Sequence, residues 1–478
     1  MAHHKDVARD GHLFVTGTLE TLLPANSVAR TIMAALARLD FSAFDAAYEN
    51  DSVGASSFDP RTLVGVWVLA FLRGEMRLET LAALCERDIE FRWILGEGNR
   101  VGKSTLGAFR NRHGAALTQL AGRLTAALLS EQSSSGKRLG VDGTVIRAAA
   151  SKHAVRTRKH LEQEAQRLET LFAAQLAASD TGGSAVSEPL EQRRSAVEAL
   201  LAQMAALGLT NPEDSVTTTD PSARLLRQKD GSFAPGYNLQ AVVDLDSGVL
   251  LHTAVLVGGS DSGQLQPQVE QTQAVLNAQG LEPAVAAVVA DAGYHDARQL
   301  AALEAQRIAC YVPEDRNAHR MPPGVAPEYQ AKTFAYDETT DIYRCPRGHE
   351  LKPCGMNESQ TAMRYQARTR DCASCPAKPQ CCPKSKSGRR VNRPLYKAVQ
   401  EHVAERVQSD EGVAMAHARS ATCEGVFARL KCLLHWPRCR LWGLAGVRTE
   451  LTWRHFIHNL MLYTKLWKPL MARAPEKA

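Results

Sequence analysis

The period of the apolar positions divides this chain into helical and extended stretches in a definite order. From residue 13 to residue 130 the pattern is helical. Residues 61–73 (RTLVGVWVLAFLR) follow Asp59-Pro60, a helix-start signal, and are apolar on nearly every side, so they predict a core helix. Residues 79–95 continue in the same vein, and residues 105–129 predict an amphipathic helix. Together they predict an all-α N-terminal domain over residues 1–132. At residues 137–150 (KRLGVDGTVIRAAA) the pattern turns extended, with Leu139, Val141, Val145 and Ile146 around a single acid, Asp142. Residues 158–208 then place Leu161, Ala165, Leu168 and Phe172, and later Val197, Leu201 and Met204, three or four apart. That spacing predicts an antiparallel helical hairpin inserted over residues 157–210, turning at 180–184 (DTGGS).

Extended patterns return at residues 237–244 (YNLQAVVD) and 249–257, joined by an Asp246-Ser-Gly248 turn. A helix is predicted over 264–279. The run 284–290 (AVAAVVA) suits a buried strand and ends in Asp291-Ala-Gly-Tyr294. A helix over 414–434 and a closing helix over 444–466, with Trp453, Phe456 and Trp467 as core residues, complete the pattern. The order predicts an α+β (mixed α/β) fold in which two neighbouring strands each carry an acid.

Length allows two or three domains in 478 residues, and 44% hydrophobic and 23% charged residues are ordinary globular values. No run of about 18 uncharged apolar residues predicts a membrane span, and the N-terminal MAHHKDVARDGH is too polar for a signal peptide, so the expected location is cytoplasmic. The net charge of +6 is concentrated: residues 384–478 hold 18 Lys and Arg against 7 Asp and Glu. A basic end of that kind suggests a polyanion such as nucleic acid. Of 11 cysteines, six fall between Cys345 and Cys382, which in a long cytosolic chain points to a metal rather than to disulfides.

The chemistry gathers on three acids. A carboxylate inside an apolar strand is destabilising unless a cation meets it, and Asp142 stands between Gly140 and Gly143, which leave room for a close approach. Asp291 ends the buried strand. Glu424 and Lys431 lie seven apart on the predicted 414–434 helix, about 20° short of two full turns, and so share a stripe off its apolar face. Oxygen ligands of this type hold Mg²⁺ or Mn²⁺, and a pair of such ions about 4 Å apart serves phosphodiester displacement without a covalent nucleophile. Lys431 would then meet a DNA phosphate. By contrast GEGNRVGKST (residues 96–105) is not a P-loop, because Gly98 leaves three residues before Gly102-Lys103-Ser104 and Gly96 leaves five, where four are needed. Cys372-x₂-Cys375 is a zinc-knuckle element that Cys345 and Cys381 would complete to a tetrahedral set, with Cys382, Cys354 and His349 as competing ligands. Lys384, Lys386, Arg389, Arg390 and Arg393 follow as a candidate phosphate-backbone strip.

The segments GVDGT, YNLQAVVD, VVADAGY and ATCEGVFARLK, with the downstream His458-Asn-Leu460, resemble a DDE transposase of bacterial insertion sequences. FDPRTLVGVWVLAFLRGEMRLETLAALCERDIEFRWILG and STLGAFRNRH resemble the same family's helical domain, so the likeness runs over residues 58–463 in order. It implies a ribonuclease-H-like catalytic core over 133–340 and 395–470, with a Cys-rich, zinc-binding insertion over 341–394. It places the catalytic acids on Asp142, Asp291 and Glu424 and the basic residue on Lys431. One position departs: related transposases carry an arginine four before the glutamate, where this chain has Ser420, and the nearest arginine is Arg419. The resemblance further implies two Mg²⁺ or Mn²⁺ ions, one structural Zn²⁺, double-stranded DNA of terminal inverted repeats and target as partner, a homodimer or larger assembly on DNA, no membrane, and a nucleoid-associated bacterial location. A nuclease with the same core and a non-catalytic zinc-containing DNA-binding protein are the competing readings.

Overall fold

A computed structural model describes residues 17–47, 57–131, 136–180, 188–228, 230–282, 284–314, 324–357 and 362–466. The predicted turn at 181–184, Trp467 and the N-terminal MAHHKDVARDGH lie outside the described residues.

Helix α1 (Pro60–Leu72) starts as its sequence dictates: the Asp59 carboxylate accepts from the Arg61 amide at 2.8 Å, with Pro60 at the first helical position. Every residue from Leu63 to Leu72 is buried. The predicted 79–95 helix is instead two, Leu78–Arg87 and Ile89–Leu95. Asp88 is extended there, and its side chain caps the second helix by accepting from the Glu90 and Phe91 amides. The 105–129 stretch likewise divides into Lys103–Arg112 and α2 (Gly114–Glu131), with His113 between them out of helical geometry. A short polar cap that still keeps the apolar period is easily read through, which is why one helix was expected in each place.

The main sheet is built from β1 (Arg138–Arg147), β2 (Phe233–Asp244), β3 (Leu250–Leu256), β4 (Ala287–Val289) and β5 (Ala309–Tyr311). Its order is β3-β2-β1-β4-β5. β1, β2 and β3 pair antiparallel, with Asp142 opposite Ala241, while β4 and β5 join in parallel, with Gly140 opposite Val289. The sheet is consistent with the ribonuclease-H-like fold that the resemblance implied, and with the mixed α/β fold that the strand order predicted. The three-residue β5 carries too short a signal to be predicted. Arg224–Arg227 also pairs with β2, at Gly236; since Gly236 meets Arg147 of β1 on one side, this short strand shares the opposite edge with β3.

Between β1 and β2 stands the helical hairpin, α3 (Arg158–Asp180) and α4 (Glu188–Ala206), with a small core of its own from Leu161, Leu168, Val197, Met204 and Val216. After β3 come α5 (Leu265–Asn277), α6 (Lys397–Gln408), α7 (Asp410–Ala428) and α8 (Gly443–Thr464). α7 does not run to residue 434 as an α-helix; its last turn, Arg429–Leu433, is π, with the Leu434 amide bonded to the Arg429 carbonyl. The Cys-rich insertion, which gave no strand signal beyond its cysteines, is a five-stranded antiparallel sheet around Phe334, Tyr343 and Tyr365.

α8 joins the parts. Trp453 packs on Trp67 and Phe71 of α1, with ring centroids 6.1 and 5.8 Å apart. From the same helix Asn459 and His455 bind the Leu250 backbone of β3, and Asn459 also donates to Thr125 of α2. One continuous core therefore runs from Leu23 to Leu466, and the N-terminal helices predicted as a domain of their own share it with the sheet. Among the described residues no helix is long and apolar enough to cross a membrane.

Within that junction Arg454 and Glu450 form a wholly buried ion pair, 3.2 Å apart. Glu450 also accepts from the Arg440 and Leu441 amides, and the Arg454 guanidinium lies between Phe71 and Trp436. Removing one buried charge strands the other, so Glu450→Ala is expected to lower stability by about 3–5 kcal/mol in urea denaturation. The joint change Glu450→Met with Arg454→Leu is expected to lose less than Glu450→Ala alone.

Candidate active site at the open edge of the central strand

β4 stops at Val289, opposite Gly140, so from Val141 to Ile146 β1 is paired only with β2 among the described residues, until Arg147 bridges Arg438 at its far end. Side chains on β1 alternate, which puts Gly140, Asp142 and Thr144 on one face and Gly143, opposite Gln240, on the other. α7 covers the first face. A Cβ on Gly140 would stand 3.0 Å from the Cys423 sulfur and 2.6 Å from Leu245 Cδ2, so only a glycine admits the helix this close. Arg419, one helical turn before Cys423, is thereby delivered to Asp142, its Nη1 3.0 Å from Oδ2. That nitrogen makes no hydrogen bond of good geometry, so the contact is one of charge.

Asp142 is only 16% exposed, and its other oxygen accepts from the Gly143 amide at 2.8 Å. Burial pushes its carboxyl above the usual range; Arg419 and the Gly143 amide pull the other way, and repulsion from Asp291 and Asp261 adds to the rise. Asp291 caps the short turn beyond β4, accepting from the Gly293 amide at 2.8 Å. The two aspartates expected to act together are thus near enough to feel each other's charge.

Lys431 arrives on the same face. Its Nζ donates to the Thr144 hydroxyl at 2.5 Å, two residues along β1 from Asp142. Glu424 is not gathered with the aspartates. Its side chain is exposed and accepts from Ser420 Oγ at 2.8 Å. With Cys423 facing the sheet, its neighbour stands about 100° round the helix, on the flank. Among the described residues no three His, Cys, Asp or Glu side chains are placed to hold one metal ion. Lys431 stands in the π turn Arg429–Leu433 rather than on the α-helix that carries Glu424.

Two residues at this edge were not foreseen in these roles. Arg419 sat one position away from where the family pattern looks for it. Asp261 lies in a Gly- and Ser-rich loop, GGSDSG, that has no period to read. Its Oδ1 accepts from Asn238 Nδ2 at 2.7 Å and Gln240 Nε2 at 2.8 Å.

In the insertion, Cys345, His349, Cys372, Cys375, Cys381 and Cys382 line one cavity of about 20 Å³, room for a single water-sized occupant. Backbone amides already point at two of the sulfurs, His349 at Cys345 (3.3 Å) and Arg389 at Cys372 (3.4 Å). Burial pushes the Cys381 thiol up to about 12. Cys354, a competing ligand by sequence, is exposed and does not line the cavity. Of the basic strip, Arg389 is engaged with the Cys381 and Tyr329 carbonyls and stacks on Phe334, and Arg393 stacks on Tyr336. Lys384, Lys386 and Arg390 are exposed.

Two family models match the chain. Residues 344–464 match a Transposase DDE domain, and residues 17–112 a Transposase domain (DUF772). The first spans the Cys-rich insertion, Arg419, Glu424 and Lys431, and ends where α8 ends; Asp142, Asp261 and Asp291 lie between the two matches. No curated protein matches the chain. The matches at its two flanks give the chain the function of a transposase, a phosphoryl-transfer enzyme acting on DNA, and are consistent with the DDE transposases of bacterial insertion sequences.

Proposed function

We propose that this transposase binds the terminal inverted repeats of its own element, hydrolyses the phosphodiester at each end and joins the freed 3′-hydroxyls to target DNA. What supports the reading is that Asp142 and Asp291 lie near enough to repel each other at the open edge of β1, with Lys431 alongside on Thr144. An all-oxygen donor set suits Mg²⁺ or Mn²⁺, and the mutual repulsion of the carboxylates is relieved by such a cation. Asp142 and Asp291 would hold it, and when bound it would supply Lewis-acid stabilisation of the attacking and leaving oxygens. Arg419 keeps Asp142 oriented. Lys431 offers a positive charge to the phosphate beside the site. Glu424 completes the set on release from Ser420.

In the same reading Cys345, Cys372, Cys375 and Cys381 hold one structural Zn²⁺, with Cys382 and His349 lining the same cavity. Lys384, Lys386 and Arg390 meet the DNA backbone beside it. Two ends must be handled together, so the DNA-bound form is at least a dimer.

Asp142→Ala, Asp291→Ala and Glu424→Ala are each expected to abolish Mg²⁺-dependent nicking of a labelled terminal-repeat duplex while leaving its gel-shift affinity nearly unchanged. Retained nicking in any of the three counts against that residue's role. Lys431→Ala should slow nicking by roughly 10²–10³-fold, the usual loss for a charge that steadies a developing oxyanion. Strand-transfer products in the same assay separate a transposase from a simple nuclease.

Stability without metal follows from the sign at Asp142. A carboxyl whose value is raised on folding contributes its full stability below its ordinary value near 3.8, and that contribution is lost as pH rises through the folded value. At neutral pH in a chelator, Asp142→Asn is therefore expected to raise the melting temperature, with a gain that vanishes as the pH falls towards 3.8. A lower melting temperature at pH 7 would mean that Arg419 outweighs burial. For the cysteines, metal analysis of the purified chain should give one zinc, lost in Cys372→Ser; zinc-free protein with an unchanged melting temperature argues for plain thiols.

A further inference from the structure

Past Lys431 the chain runs along the far end of β1 as a loop, residues 435–442 (HWPRCRLW), before α8 begins. Arg438 bridges Arg147 there, and the Cys439 amide donates to the Arg147 carbonyl at 2.7 Å. Arg147 lies five residues along β1 from Asp142. At the usual strand rise that is roughly 16 Å, about five base steps of DNA. The loop therefore flanks the open edge on which Asp142 and Lys431 stand.

Its side chains sort by face. Trp436 and Cys439 turn inward and pack with Ile146, Tyr237 and Val447. Arg438, Arg440 and Trp442 are exposed. Interior carboxylates hold the backbone between these faces. Glu450 accepts from the Arg440 and Leu441 amides, and Asp220, itself buried, accepts from the Gly443 amide at 3.2 Å. The Arg440 guanidinium also donates to the Gly74 carbonyl at 3.2 Å, which ties the loop to the N-terminal helices. The segment that presents Trp442 is thus fixed on both sides of it.

Of the described tryptophans Trp442 alone is exposed, at 69%. A single exposed apolar residue is ordinary, so its surroundings decide what it can do. Residues 425–449 hold five Lys or Arg and no Asp or Glu. A protein interface sets its aromatic anchors in an apolar core depleted of charge, which this stretch does not offer. A flat ring among cations suits single-stranded nucleic acid, whose bases stack on the ring while its phosphates meet the charges. Bases inside an intact duplex have no free face, so the ring meets one only where the duplex is opened.

We infer that Trp442 stacks on an unpaired base of the DNA beside the cleaved phosphodiester, with Arg438 on the adjoining phosphate. This rests on the preceding reading that the chain binds and cuts the ends of its element.

Fluorescence anisotropy of the full chain tests it with two labelled duplexes of the terminal repeat. One is paired throughout; in the other the nucleotides flanking the element's end are unpaired on one strand and include 2-aminopurine. The parent should bind the opened duplex more tightly and quench the 2-aminopurine. Trp442→Ala is expected to weaken binding of the opened duplex by about 10-fold and to lose the quench. Its affinity for the paired duplex and its melting temperature should match the parent's. Trp442→Tyr keeps a ring and should retain most of the binding and the quench. Arg438→Ala should lower the slope of log affinity against log salt by about one, a slope that Trp442→Ala leaves alone. Equal affinity of parent and Trp442→Ala for the opened duplex, with the 2-aminopurine unquenched, overturns the inference and leaves end binding standing. Failure of the parent to bind either duplex overturns the end-binding reading, and this inference with it. A DNA-free oligomer that dissociates in Trp442→Ala while DNA affinity holds would assign the ring to a second copy of the chain, and overturns the inference as well.

Discussion

The site depends on how closely one helix can lie on one strand. α7 meets β1 at Gly140, where even a methyl group would collide with Cys423 and Leu245. From that point helical geometry fixes the rest. One turn back, Arg419 falls on Asp142; beyond the other end the π turn carries Lys431 to Thr144, two residues further along the same strand face. Glu424, next to the buried Cys423, is held on the flank by the same geometry. Lifting the helix by the width of a methyl group would uncouple the two cations from the strand together.

That contact needs a rigid backing, and α8 supplies it. The helix is buried along most of its length, and it touches α1 through Trp453, α2 through Asn459 and the β2–β3 hairpin through His455 and His458. The two matched segments are far apart in sequence, yet residues 17–112 pack against α8, the last helix of the 344–464 segment, in one core. Sequence boundaries between domains are drawn where composition changes, whereas cores form wherever apolar faces find each other. The N-terminal helices are accordingly a wall of the catalytic core as well as a unit in the chain.

How much could be read beforehand follows from what kind of signal each residue leaves. Asp142 and Asp291 stand out because a charge in a strand, or at its end, interrupts a pattern that is otherwise continuous. The strand order was legible for the same reason: periods of 2 and 3.6 are distinct over seven residues or more. β5, with three residues, is too short to show a period, and Asp88 and His113 break helices without breaking their apolar spacing. Asp261 left no trace, since a loop acid beside glycine and serine is what any polar turn contains. The direction of Glu424 was beyond reach on different grounds. It depends on which neighbour is buried, which an i, i+7 count does not contain.

Electrostatics give the arrangement its logic. Burial is the main cause of the rise at Asp142, and repulsion from Asp291 and Asp261 adds to it against the pull of Arg419. A site evolved only for stability would pair or protonate such charges, because each buried unpaired carboxylate lowers the folded state's free-energy margin. Here the neighbouring groups hold the carboxylates in place without neutralising them: amides on Asp261, a backbone N–H on Asp291, a backbone N–H and an off-axis guanidinium on Asp142. Strain of this kind persists where the surrounding core over-determines it, and the α1–α8–sheet junction is rigid enough to do so. A cation bound there, as proposed, would relieve that repulsion, and affinity for it would then be opposed to stability without it in the same few side chains.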